Sequence, residues 1–230
     1  MATRRALMRL ALTFVLIFVL EAAPAFAKCR DRPAPGVDWT RCEKERLLLR
    51  KADLSGAILE RTDLSEADMT EAKLAGAKMM LANLARTRLH GADLSRADMT
   101  KVRGDRTDFQ GANLSRVNLS KAELPRAILT GADLTGADLS KAEVGRAVFD
   151  EARLSGANLR HAYLARASFR GTTLDGVNLA GAYMLMTHFE GADLSGATGL
   201  TQEQIEIACG DSATKLPAGL TAPAAWPCPD

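Results

Sequence analysis

Every fifth residue from Leu49 onward is large and apolar, a period that neither an α-helix nor an uninterrupted β-strand repeats. The series runs Leu54, Leu59, Leu64, Met69, Leu74, Met79, Leu84, Leu89, Leu94 and Met99, continues with Phe109 and ends at Leu194. Of its 30 positions Gly104 is the single failure, and Val144 is the single β-branched occupant. Two residues before each centre from Leu54 onward the chain is small: all 29 such positions from 52 to 192 hold Ala, Thr or Val. On an α-helix five residues advance about 500°, so this series would wander round every side. In an extended chain, residues two apart share a face, which suits the small and large positions. The next alternate position holds Gly56, Arg61, Glu66, Arg86 or Arg146, which cannot be core. The chain must therefore turn once in every five residues.

A second period closes the coil. Phe109, Phe149, Phe169 and Phe189 are separated by multiples of 20, and Arg86, Arg106, Arg126, Arg146 and Arg166 by 20 each time. Lys101, Lys121 and Lys141, with His161 next in the column, keep the same spacing, as do Tyr163 and Tyr183. Four five-residue sides make one coil, and like stacks on like.

The tandem Ala132-Asp133-Leu134-Thr135-Gly136-Ala137-Asp138-Leu139 resembles the pentapeptide-repeat family, and the resemblance covers residues 47–198. It implies an all-β fold, a right-handed quadrilateral parallel β-helix with the centre and the small residue pointing inward. About 7.5 coils are expected; at about 4.8 Å per coil they form a rod roughly 36 Å long.

The ends differ from the middle. Residues 1–27 read as a cleavable export signal: Arg4, Arg5 and Arg9, an apolar run from Leu10 to Leu20, then Ala25-Phe26-Ala27. That run is about half of what a bilayer core requires. Thr3-Arg4-Arg5 leaves the general and the twin-arginine routes both open, and Lys28 before Cys29 argues against a lipid anchor. The expected location is periplasmic or secreted. Of the 30 basic and 28 acidic residues, three arginines and Glu21 fall in the signal, leaving 27 of each sign.

Residues 28–46 are expected to form an N-terminal cap. Residues 199–230 are expected to form a C-terminal cap with a short helix opened by the capping box Thr201-Gln202-Glu203-Gln204 and stopped at Gly210. Trp226 is expected to pack over the last coil. Cys29, Cys42, Cys209 and Cys228 permit three pairings. If the middle is a rod, only Cys29–Cys42 and Cys209–Cys228 come within the roughly 7 Å a disulfide spans. A metal shared by the two pairs fails on the same distance.

No catalytic or cofactor-binding set stands out. His90, His161 and His188 lie in three different columns, the serines recur just after the centre, and the aspartates recur just before it. Backbone bonding at the turns accounts for the last two better than acid–base work. Arg86, Arg106, Arg126, Arg146 and Arg166, with Lys101, Lys121 and Lys141, form a candidate interaction face. It is read either as solvated and balanced by Glu123 and Glu143, or as a strip for an anionic polymer such as lipopolysaccharide or an acidic glycan. Tyr163, Tyr183, Leu185 and Met186 form a candidate apolar patch, explained equally by a cap or by a partner; Met80/Leu81 and Ile128/Val148 are smaller ones. At Gly104 a cavity or bulge is expected, costing about 2–5 kcal/mol relative to Leu, with a kink as the alternative.

The function expected is that of a non-catalytic structural or interaction protein of the bacterial cell envelope, needing no cofactor or metal. Its partner is a protein or an anionic polymer, and the chain itself is a monomer or a weak end-to-end dimer without a membrane anchor. Some members of the resembled family protect topoisomerases by mimicking DNA. That alternative implies an acidic cytoplasmic rod, whereas this chain is neutral and carries an export signal, so nucleic-acid mimicry and nucleic-acid binding are both disfavoured.

Overall fold

The computed structural model describes residues 28–228, so the expected export signal lies outside the described residues. Its organising element is a turn. From Gly36 to Gly191 each residue two beyond a centre has φ between +53° and +70°. The amide after it reaches back to the centre's carbonyl, as in Ala57 N–H to Leu54 O at 3.0 Å. A positive φ at the third residue is the mark of a type II turn. Twenty of these residues are not glycine. They are chiefly Arg, Lys and Glu and never β-branched, the types that would be most strained there.

Between turns each side is too short for more than a single parallel bridge to its neighbour, and the bridges join residues 20 apart, from Asp38↔Ile58 to Asn178↔Thr198. Each side makes three backbone bonds to the coil above or below. Leu54 N donates to Lys73 O, Lys73 N to Ala52 O, and Gly56 N to Ala75 O, at 2.8–2.9 Å. The result is a four-sided solenoid. Its interior is one column of Leu, Met and Phe per side, with small residues between them, almost all without solvent contact. Phe149, Phe169 and Phe189 stack in one column with centroids 4.6 and 5.5 Å apart. Buried Thr62, Thr87, Thr107 and Thr187 each donate to a carbonyl in the coil below, at 2.7–2.8 Å.

At Gly104 the space beside the backbone is filled and not left as the expected cavity. The Thr107 hydroxyl and the Leu124 methyl group occupy the space, so that a Cβ at 104 would stand 2.8 Å from Leu124 Cδ2 and closer still to Thr107 Oγ1. The ladder passes through undisturbed, with Gly104 N donating to Glu123 O at 2.8 Å.

At the N-terminal end the ladder begins earlier than expected. The bridges Asp38↔Ile58 and Glu43↔Asp63 lie inside the segment assigned to the cap. Trp39 and Lys44 take the centre positions there. Trp39 is fully buried, and Lys44 Nζ lies 4.0 Å from the centre of its ring while donating to Cys29 O at 2.6 Å. Burial holds the Lys44 ammonium below its ordinary pKa, against the pull of Asp31. Cys29–Cys42 ties the irregular residues to this first coil, with Cα atoms 5.4 Å apart.

At the other end Gly199 turns the chain out of register where a side chain would strike Ala180. The helix Gln202–Glu206 follows with the Thr201–Gln204 capping box formed. Buried Gln204 Nε2 also donates to Leu179 O and Ala182 O at 3.0 and 2.8 Å, closing open carbonyls of the last full coil. Pairing then resumes at His188↔Cys209 and Asp193↔Lys215. The helix ends at Ile207 rather than at Gly210. Gly210 is small for another reason: the Trp226 ring lies where its side chain would be. Trp226 Nε1 donates to Ala208 O at 2.8 Å, and Cys209–Cys228 holds the strap in place.

Candidate interaction face

Residue number modulo 20 decides which side a residue occupies, and it puts the two expected surface features together. One side carries Arg103, Glu123, Glu143, Tyr163 and Tyr183 outward along its middle, joined by successive parallel bridges. Lys101, Lys121, Lys141 and His161 run along one corner. Arg86, Arg106, Arg126, Arg146 and Arg166, then Met186, run along the other, all at positive φ. Between the middle column and the arginine corner lie Asp105, Pro125, Gly145, Ala165 and Leu185. The arginines and the apolar patch thus share one side.

A shallow cleft of about 520 Å³ follows this side, lined by Pro125, Arg126, Glu143, Gly145, Arg146, Tyr163, Ala165, Arg166 and Leu185. Its floor is smooth because Pro125, Gly145 and Ala165 succeed one another at the 20-residue spacing. At Gly145 a ring approaches closely: a Cβ there would stand 3.0 Å from Tyr163 Cε1. Tyr163 and Tyr183 stack with centroids 5.4 Å apart and remain 48% and 45% exposed. Leu185 is 40% exposed. The C-terminal cap therefore leaves Tyr163, Tyr183 and Leu185 open, whereas Met186 is half-buried and its amide donates to Ile207 O of the cap at 2.7 Å.

The charges are not balanced in the way the sequence suggested. Arg126 pairs with Asp105 at 2.6 Å, and Arg86 reaches Glu66 at 3.6 Å. Among the described residues no carboxylate lies within ion-pair distance of Arg106, Arg146, Arg166, Lys101, Lys121 or Lys141, and Glu123 and Glu143 make no ion pair. From Lys101 to Met186 this side and its corners carry eight lysines and arginines against three acids. Exposed guanidiniums about one coil apart repel one another weakly in water and offer charge-assisted bonds to an anion.

The remaining chemistry-bearing residues have local duties. Asp53, Asp93, Asp133 and Asp193 each accept the amide two residues on, at 3.0–3.1 Å. His188 Nδ1 lies 2.8 Å from Glu190 Oε1 and 3.2 Å from Arg170 Nη2 on another side, a local polar cluster. Among the described residues no three His, Cys, Asp or Glu side chains gather to hold a metal. Ile128, 40% exposed, bridges to Val148 on the side next to the arginine corner. Two features escaped the sequence reading: the smooth floor, visible only as small residues at 125, 145 and 165, and Leu48, 79% exposed on the first coil.

A family profile described as a pentapeptide repeat region matches residues 103–179. Another, described as pentapeptide repeats (8 copies), matches 48–84, 82–120 and 174–198. No curated protein sequence matches the chain. Among solved structures it is similar to HetL, a pentapeptide repeat protein involved in heterocyst differentiation regulation from the cyanobacterium Nostoc. Identity is 28%, over 84% of this chain and 94% of that one, with a TM-score of 0.47. It is also similar to trypsin-treated QnrB1, a plasmid-mediated fluoroquinolone resistance protein, at 16% identity over 79% and 90%, TM-score 0.41. A third is a pentapeptide repeat protein of the Arabidopsis thaliana thylakoid lumen, at 23% identity over 73% and 80%, TM-score 0.12.

Proposed function

The chain belongs to the pentapeptide-repeat family, whose fold is a right-handed quadrilateral β-helix, and on that premise we propose that it is a non-catalytic interaction protein of the bacterial cell envelope. Residues 1–27 direct it to the periplasm or beyond the cell. Two disulfides at its ends suit an oxidising compartment, and no helix among the described residues is long and apolar enough to cross a membrane. Its task is to hold an anionic partner on the side that carries Arg106, Arg126, Arg146 and Arg166. One observation carries this reading: Arg146 and Arg166, without acidic partners, line the same open cleft as Tyr163, which stacks on Tyr183. Mimicry of nucleic acid gains no support from a side where cations outnumber acids.

The test is capture from a periplasmic and outer-membrane extract by wild type and by the triple variant Arg106→Glu/Arg146→Glu/Arg166→Glu. These side chains are exposed at turn positions that already accept glutamate, as at Glu66 and Glu151, so the variant is expected to give the wild-type circular dichroism spectrum. Wild type should retain material that the variant loses, and retention should fade as salt rises. Equal retention by both proteins removes the arginine side as the binding face.

A further inference from the structure

Resting on that reading of the arginine side, we propose that its ligand is a linear acidic polysaccharide, a polymer with a carboxylate or sulfate on each sugar, lying along the rod axis. The spacing of the cations comes first. Because the bridges tie each residue to the one 20 places on, the guanidiniums recur once per coil, about 4.8 Å apart. A ligand that stays in register with them must carry its same-side anionic groups at that interval or at a whole multiple of it. An extended acidic peptide presents same-side groups only every second residue, about 6.6 Å apart, and drifts out of register within two coils. A pyranose joined through opposite corners of its ring is about as long as one coil is tall, so a two-fold uronate chain, whose successive sugars face opposite ways, presents a same-side carboxylate once per two coils and stays in step.

The acids inside a cationic side provide the second reason. Glu123 and Glu143 make no ion pair and lie between a lysine and an arginine of their own coil. Toward a bare polyanion they would only repel. Toward a sugar chain they accept hydrogen bonds from hydroxyl groups while the arginines take the carboxylates, so a ligand bearing both groups uses charges of both signs. Third, the floor at Pro125, Gly145 and Ala165 bears no side chain long enough to obstruct a ribbon-like polymer. Beyond it, Tyr163, Tyr183 and Leu185 supply an apolar, hydroxyl-bearing end for the C–H face of a sugar.

The experiment is calorimetric titration of the full mature chain at low salt with oligogalacturonates of increasing length, beside the matching neutral oligogalactoses and poly-L-glutamate of equal charge. Affinity should rise with length and level off once the oligomer spans the arginine corner. The neutral sugars and poly-L-glutamate should bind at least about tenfold more weakly. Arg106→Glu/Arg146→Glu/Arg166→Glu should lose at least about tenfold, and Tyr163→Ala/Tyr183→Ala should weaken only the longer oligomers. Poly-L-glutamate binding as tightly as the uronate overturns the assignment in favour of an acidic protein. Absent binding of every oligomer, or affinity unchanged by the arginine variant, overturns it too. If the uronates fail while the arginine variant still loses its captured extract material, the ligand class is wrong and the interaction side stands; if both fail, both readings fall.

Discussion

An aspartate one position before a core leucine is a turn device. Asp53 and Asp193 accept the amide two residues ahead, and Asp68 does the same for Thr70. The Ser195 hydroxyl, then Lys215 and the Ser195 amide, hold the Asp193 carboxyl down to about 2. The Ser55 hydroxyl and amide lower Asp53, and the Thr70 hydroxyl leads the causes at Asp68. A carboxyl whose folded pKa lies below its unfolded value contributes stability that is complete above the unfolded value, about 4. That contribution is lost as pH falls toward the folded one. The urea midpoint should therefore decline as pH is lowered from about 4 toward 2, with Asp53→Asn/Asp68→Asn/Asp193→Asn declining less over the same window. The amide substitutes because Asn113 and Asn158 already make this bond, to Ser115 and Arg160; an equal decline in both proteins would remove these residues as the cause. The role of these aspartates was legible from position alone. The positive φ at every turn was not, because 20 of those residues are charged or bulky rather than glycine, and the conformation is imposed by the coils above and below.

A solenoid is weakest at its ends, where an element lacks one of its two neighbours. Here the C-terminal end is closed by pieces of different kinds: Gln204 bonding to two carbonyls, Ile205 filling the core, and the strap that Trp226 and Cys209–Cys228 fasten down. Replacing the pair as Cys209→Ser/Cys228→Ser should cost about 2–4 kcal/mol and act locally. Hydrogen exchange should quicken at the amides of Cys209 and Lys215 and in the sides facing them, at His188 and Asp193, while amides near Leu114 and Leu134 keep wild-type protection. Uniform loss of protection along the rod would show that the coils unfold as one unit instead. At the helix the capping box was readable, whereas its true end was not, since Gly210 answers to an indole ring 16 residues farther along the chain. The first coil was missed for a related reason. Trp39 and Lys44 break the series of leucines, and lysine is acceptable in a core position because its ammonium stacks on the ring and donates to Cys29 O.

At the scale of the whole molecule, the 20-residue register is what matters. Removing residues 151–170 would set Phe189 on Phe149 and Tyr183 over Gly145, leaving every column in place and the arginine corner one residue, Arg166, shorter. The shortened chain should fold, with an unchanged circular dichroism signal per residue in the repeats and a smaller dependence of stability on urea. Removing residues 151–168 instead shifts every later core leucine off its column and should leave the chain beyond the junction unpaired, with a lower circular dichroism signal per residue; equal folding of the two would refute the register. The gathering of Arg146, Arg166, Tyr163 and Tyr183 on one side was present in their numbers modulo 20. Which arginines find acids, and that the cap leaves the tyrosines open, depended on side-chain conformations that spacing does not specify.

A rod assembled from interchangeable turns also has an unusual relation to its gene. Recombination between neighbouring segments of DNA, each encoding one turn, adds or removes a whole turn and yields a working core at every step. Length becomes an inherited trait that varies in whole units, as rungs are added to a ladder. Lineages descended from such a gene would differ first in the length of the rod, and only later in the side chains its sides present.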